Sequence, residues 1–244
     1  MPMDSSTTTR RSAAAARERS FLSNAGHELR TPLHSANGFV EMVLDGVVGS
    51  LNERQQEMLS YAHIAIGQLG ILIEDVLFLA RSDSGEILYR PSTVDPSAIL
   101  TCAVDCVREQ AEGQLVTISR QDRELPAAIQ ADGERLREGL TGLLRGALAM
   151  MPSDGAMTVV AAVREYSLVF EVTPDQVRLN ATDRRHLFER FYQPHPLGAD
   201  RSTHLGLGLV IAQITAQWHG GIARIDAATD GSVKLCYELP LNCS

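Results

Sequence analysis

Apolar residues recur at spacings of three and four through the first fifth of the chain, at Leu22, Ala25, Leu29, Leu33, Ala36, Val40, Val43 and Val47. That period predicts a long amphipathic helix from about Ala13 to Val48. The stretch "GVVGSLNER" then supplies a turn, with Asn52 as the N-cap of a second helix. The second stripe is Leu59, Ala62, Ile66, Leu69, Ile73, Val76 and Ala80. The two segments are expected to form a helical hairpin. A hairpin cannot cover its own apolar faces, and the second helix carries Tyr61, Ile64, Ala65, Leu72 and Leu79 in addition. The expected solution is a homodimer in which two hairpins make a four-helix bundle.

Pattern and period change after Arg81. "SDSGEILYRPSTVDPSA" holds Gly and Pro punctuation and one short strand candidate, which places a domain boundary near residues 83 to 90. Beyond it the chain predicts a helix from about Pro96 to Glu112, a strand near "LVTIS", and a helix from about Asp132 to Met150. Strands follow at "AMTVVAAV" and "SLVFEV", then a short helix around Arg184 to Phe191. A Gly-rich turn leads into a helix from Leu207 to Trp218, and strands at "IARIDA" and "VKLCYEL" close the chain. Helices with mostly antiparallel strands in this order predict an α+β chain: a hairpin followed by an α/β sandwich with helices on one face. The expected division is a tail over 1–16, the hairpin over 17–84 and the sandwich over 85–244.

Composition narrows the function classes. A chain of 244 residues, 44% of them apolar, can build one or two stable cores. A formal charge of -8 and a pI near 5.4 argue against nucleic acid or anionic lipid as the main partner. The most apolar window, "IGQLGILIEDVLFLA", is interrupted by Gln68, Glu74 and Asp75, so no membrane span is expected. The polar start lacks the apolar stretch of a secretory signal. Cys102, Cys106, Cys236 and Cys243 form no CxxC pair and no metal spacing with histidine, so a reduced cytoplasmic protein without a metal site is expected. Cys102 and Cys106 share a helix face, which is read as core packing.

One string carries chemistry. "HELRTPL", residues 27 to 33, puts His27 about 200° around the helix from the stripe through Ala25 and Leu29, hence on an exposed flank, with Thr31 one turn later. A neutral imidazole can act as a nucleophile, and Glu28 is the acid nearest in sequence to fix its tautomer and take its proton. Pro32 offers no amide to the residue 28 carbonyl and so loosens the helix there.

The string closely resembles the phosphoacceptor box of two-component histidine kinases, H-E-apolar-R-T-P-L. The resemblance implies that His27 accepts a phosphoryl group, that Glu28 acts as base, and that a response-regulator receiver aspartate takes the group from His27. It also implies that Thr31 positions a water for dephosphorylating the regulator. The N-terminal tail is too short for a sensor domain, so input is expected through a partner such as a separate sensor or kinase, through the short N-terminal helix, or through the second domain's altered pocket.

The second part resembles the family's GHKL-type ATPase domain with altered binding boxes. In "ADGERLREGLTGLLRGALAMM", Asp132, Arg135, Leu136, Leu140, Leu143, Leu144 and Ala147 fit the N box, whereas the magnesium asparagine falls on Gly146, the preceding asparagine on Gly142 and the lysine on Ala149. "LFERFYQP" matches the F box. The family's D-x-G-x-G falls on Pro174, Gln176 and Arg178, and Asp175 is available only if the alignment shifts by one. "HLGLGL" keeps the last Gly-rich box, so Gly206, Leu207 and Gly208 are the candidate nucleotide contacts, with His204 in place of the usual leading glycine. Lys234, the single lysine, lies in a predicted closing strand, and Arg145 or Arg201 is read as surface charge before phosphate ligand. Three readings follow: a phosphotransfer protein whose Mg-ATP binding is weak or lost, an autophosphorylating kinase with a divergent pocket, and a non-catalytic dimeric pseudokinase scaffold.

Overall fold

A computed structural model describes residues 26, 28–194, 206–227 and 232–241. The chain divides into two compact units, Met1–Leu88 and Tyr89–Ser244.

In the first unit, helix α1 runs over 28–44, straight through Pro32, and ends in a turn where Gly46 takes φ +74°. Asn52 then caps α2 (Glu53–Asp83) as expected: its side chain accepts from the Gln55 amide at 2.9 Å, and the Gln55 side chain accepts from the Asn52 amide at 3.0 Å. The two helices meet in one antiparallel register. A Cβ added at Gly26 would lie 2.9 Å from Leu77, one added at Gly70 would lie 3.1 Å from Leu33, and Arg30 pairs with Glu74. The predicted stripes are only partly covered by this contact: Leu29 is 47% exposed and Leu69 50%, and only Leu77, Phe78 and Leu79 of α2 are fully buried. Two helices share a single seam, so the rest of each stripe needs a further partner. By length and composition α2 is long and apolar enough to cross a membrane, although the stretch from Ile66 to Ala80 is interrupted by Gln68, Glu74 and Asp75.

In the second unit, β1 (Ser92–Val94) pairs with β3 (Ile129–Ala131) in a small antiparallel sheet. The main sheet has the order β2-β4-β5-β7-β6, built from β2 (Thr117–Asp122), β4 (Ala156–Arg164), β5 (Ser167–Pro174), β6 (Ile222–Ala227) and β7 (Val233–Pro240). Only β2 and β4 are parallel; the other neighbours are antiparallel. Alternation explains which face is covered. Leu168, Phe170 and Val172 on β5 and Leu235, Tyr237 and Leu239 on β7 join one core with α3 (Pro96–Gly113) and α4 (Gly133–Met150), and α6 (Gly208–Trp218) packs on the same core through Leu209 and Ala212. Phe170 and Tyr237 stand opposite in register with rings edge to face, 6.4 Å apart. On the other face the buried Glu171 carboxylate accepts from Arg164 at 2.9 Å and from Lys234 at 3.3 Å.

Two elements differ from expectation. β3 was not anticipated. The short helix is α5 (Ala181–His186), which starts earlier than the F-box residues suggested because the Asn180 side chain accepts from the Asp183 amide at 2.8 Å and caps it.

Candidate functional site

His27 lies outside the described residues. Its neighbours in the string take two directions on α1. Glu28 and Thr31 are exposed, and Ser35 Oγ donates to the Thr31 carbonyl at 3.0 Å. Arg30 turns instead toward α2, where its guanidinium donates to both oxygens of Glu74, the Nη2 contact being 2.6 Å. This hydrogen bonding holds the Arg30 pKa above and the Glu74 pKa below their ordinary values. The arginine of the string therefore fixes the register that presents Glu28 and Thr31. Sequence reasoning missed that role, although Glu74, a charge inside an apolar stripe, was a visible hint.

The second unit brings the residues of the altered boxes together at a helix crossing. Gly142 of α4 faces Gly208 at the start of α6, so closely that a Cβ at 142 would lie 2.4 Å from the Gly208 carbonyl oxygen. One turn on, a Cβ at Gly146 would lie 2.5 Å from the Leu209 side chain. Gly206 takes φ +69°, and a Cβ there would lie 2.1 Å from the Tyr192 carbonyl oxygen, so both conformation and space require glycine. Leu207 is buried at 2% exposure and gives no side-chain cap to α6, so of this candidate only the backbone is available to a ligand. Gln176 keeps the left-handed backbone, φ +60°, at a position where the family pattern has glycine; its amide donates to the Asp175 side chain at 2.8 Å. Pro174 ends β5 opposite Met157, and Arg178 makes a lone bridge with Ser232. Lys234, paired with Glu171, belongs to the sheet and not to this crossing. Arg201 and His204 lie outside the described residues.

Two supports around the crossing were also missed. The Asp132 amide donates to His219 Nε2 at 3.1 Å, while His219 Nδ1 lies 2.7 Å from the Thr215 carbonyl. A carbonyl only accepts, so the proton sits on Nδ1, and the imidazole ties the start of α4 to the end of α6. Tyr192, beside Gly206, donates its hydroxyl to the buried Asp183 carboxylate at 2.6 Å, which pushes the phenol up to about 12. Among the described residues, no group of three or more His, Cys, Asp or Glu side chains could hold a metal ion.

A helical hairpin with Glu28 and Thr31 exposed, followed by a helix-backed α/β sheet, is the fold shared with solved histidine kinases. Residues 17–85 match the family model described as the His Kinase A (phospho-acceptor) domain. The chain is 31% identical over 236 residues to the sensor protein DivL of Caulobacter vibrioides, covering 93% of this chain and 29% of that protein. It is 30% identical over 227 residues to the signal transduction histidine-protein kinase BaeS of Escherichia coli, covering 91% of this chain and 47% of that protein. Its fold matches full-length ShkA, solved with AMPPNP, at a TM-score of 0.66 and 23% identity over 90% of this chain and 45% of that one. It also matches the histidine kinase AdeS of Acinetobacter baumannii at 0.56 and 16% identity over 88% and 98%. The chain spans less than half the length of these two curated relatives. It belongs to the sensor histidine kinase family of two-component signalling.

Proposed function

We propose that this chain is a phosphotransfer core in which His27 carries a phosphoryl group and exchanges it with a response-regulator aspartate. The observation that carries the reading is the division of the "HELRTPL" string: Arg30 is committed to the hairpin through Glu74, which leaves Glu28 and Thr31 exposed to an approaching receiver domain. Glu28 serves as the base next to His27, and Thr31 orients water when the regulator is dephosphorylated. Transfer of this kind depends on in-line positioning, which a rigid hairpin supplies.

The chain's own ATP chemistry is weak or absent in this reading. Magnesium requires several oxygen ligands, and Gly146 offers none. Leu209 stands where a side chain at 146 would begin, and the Gly208 carbonyl stands where one at 142 would. A second reading, an autophosphorylating kinase with a divergent pocket, draws on Gly206 and on the start of α6, which no side chain caps. Acid-labile phosphate on the chain after incubation with Mg-ATP, compared with His27→Ala, separates the two. Label on the parent alone favours the kinase; no label, with loading of His27 from a phosphorylated regulator or loss of the regulator's phosphate, favours phosphotransfer. Silence in both assays overturns both and leaves a scaffold.

The proposal includes a cytoplasmic homodimer, with a separate sensor or kinase as a further partner. Met58, Tyr61, Leu69 and Val76 are exposed and follow one helical face, turned away from the Arg30 side of α2. A second hairpin covers that face better than lipid does. Every 18-residue stretch of α2 includes Glu57 or Glu74, and a charged side chain is costly in lipid. Light scattering is expected to give a dimer that Leu69→Glu makes monomeric. A monomeric parent, or its recovery in the membrane fraction, would count against this.

A further inference from the structure

We propose that Cys102 and Cys106 form a two-thiol site for a soft, thiophilic ligand of the trivalent arsenical class. The sequence reading placed this pair in the core, and the structure corrects it: both thiols are exposed on α3, whose buried flank is Ala103, Val104, Val107 and Ala111. Residues four apart in a helix have Cβ atoms about 5 to 6 Å apart. A disulfide needs roughly 3.5 to 4.5 Å between them, so in the intact helix the two cysteines do not oxidise to one another and remain a dithiol. One soft atom held by two bonds of about 2.3 Å, the length of a zinc–thiolate bond, does bridge such a pair.

The neighbourhood favours a ligand that is content with two sulfurs. Asp105, between the cysteines, is engaged by Arg108 at 3.0 Å. Among the described residues no third metal-ligating side chain joins the pair, which argues against tetrahedral zinc. Arg137, reaching from α4, donates to Cys106 Sγ at 3.9 Å and places a cation beside the sulfurs that would carry the ligand's electron density. The reaction balances without an oxidant. An arsine oxide R–As=O and two thiols give a cyclic R–As(S)2 and one water; both S–H bonds are replaced by As–S bonds, and arsenic stays trivalent. Cys236 is buried and donates to Asp226 at 3.3 Å, so it does not compete.

Phenylarsine oxide added to the reduced full chain is the probe, read by intact mass and free-thiol count. One adduct per chain is expected, consuming two thiols, resistant to excess monothiol and released by ethanedithiol. Cys102→Ser and Cys106→Ser should each cut retention at least tenfold, while Cys243→Ser, outside the described residues, should leave it unchanged. Both serine variants alter exposed side chains, and circular dichroism checks that they fold. No adduct on the parent, an adduct lost to monothiol, or retention that survives either Cys102→Ser or Cys106→Ser would overturn the proposal.

Discussion

Two helical glycines have opposite meanings. Gly67 on α2 has nothing within 4 Å of an added Cβ, so Gly67→Ala should stabilise the chain by about 0.5 to 1 kcal/mol through the lower entropy of its unfolded state. Gly142→Ala drives a methyl onto the Gly208 carbonyl, and backbone cannot step aside as a side-chain tip can, so a loss of about 2 kcal/mol or more is expected. Urea unfolding of both variants checks the contrast, and equal effects would show that the helix crossing is not tight. At this scale the sequence was readable where chemistry is contiguous and opaque where it is not. "HELRTPL" needs no fold to be recognised. The roles of Arg30 and Lys234 depend on Glu74 and Glu171, distant in sequence, and nothing local announces those partners. For Cys102 and Cys106, spacing showed a shared face but not which face, because Ala103 and Val107 repeat at the same interval one residue on.

Among the elements, α2 depends most on local signals. Asn52→Ala removes the acceptor for the Gln55 amide and should cost about 1 kcal/mol, seen as a lower Tm of the hairpin transition. The Arg30 pair adds a pH dependence. Glu74 has a lowered folded-state pKa, so its contribution is present above the unfolded carboxylate value and is lost as pH falls through the folded one. Both side chains are more than a third exposed, 37% and 45%, which limits the pair to about 1 kcal/mol. Between about pH 6 and pH 3 the Tm of the parent should fall more steeply than that of Glu74→Gln; parallel curves would remove the pair from the stability of the hairpin. Helices and strands with long periods were readable in advance, whereas the three residues of β3 are too few to show a period, and α5 was misplaced because Asn180 was not read as a cap.

For the molecule as a whole, the distinguishing question is whether nucleotide stabilises it. A ligand at a hundred times its dissociation constant adds about 2.7 kcal/mol to the folded state by mass action. With Gly142 closed against Gly208 and Gly146 lacking an oxygen, millimolar Mg-ATP is expected to leave the Tm of the second unit unmoved; a rise of several degrees would restore the kinase reading. The order of elements and the hairpin-then-sandwich plan were readable from periodicity, while the tight crossing was not, because it depends on which glycines of two helices fall opposite one another. The hairpin register has a mechanical consequence as well. Positions 26 and 77, 30 and 74, 33 and 70 meet in one alignment, and each meeting is specific: a glycine receives a leucine, or an arginine grips a carboxylate. Sliding α1 by one turn would set Arg30 opposite Gly70 or Phe78 and leave its charge without that carboxylate. The two helices are in effect geared to a single notch, so an input to the flank that carries Glu28 and Thr31 has to turn or tilt them together and cannot shift one past the other.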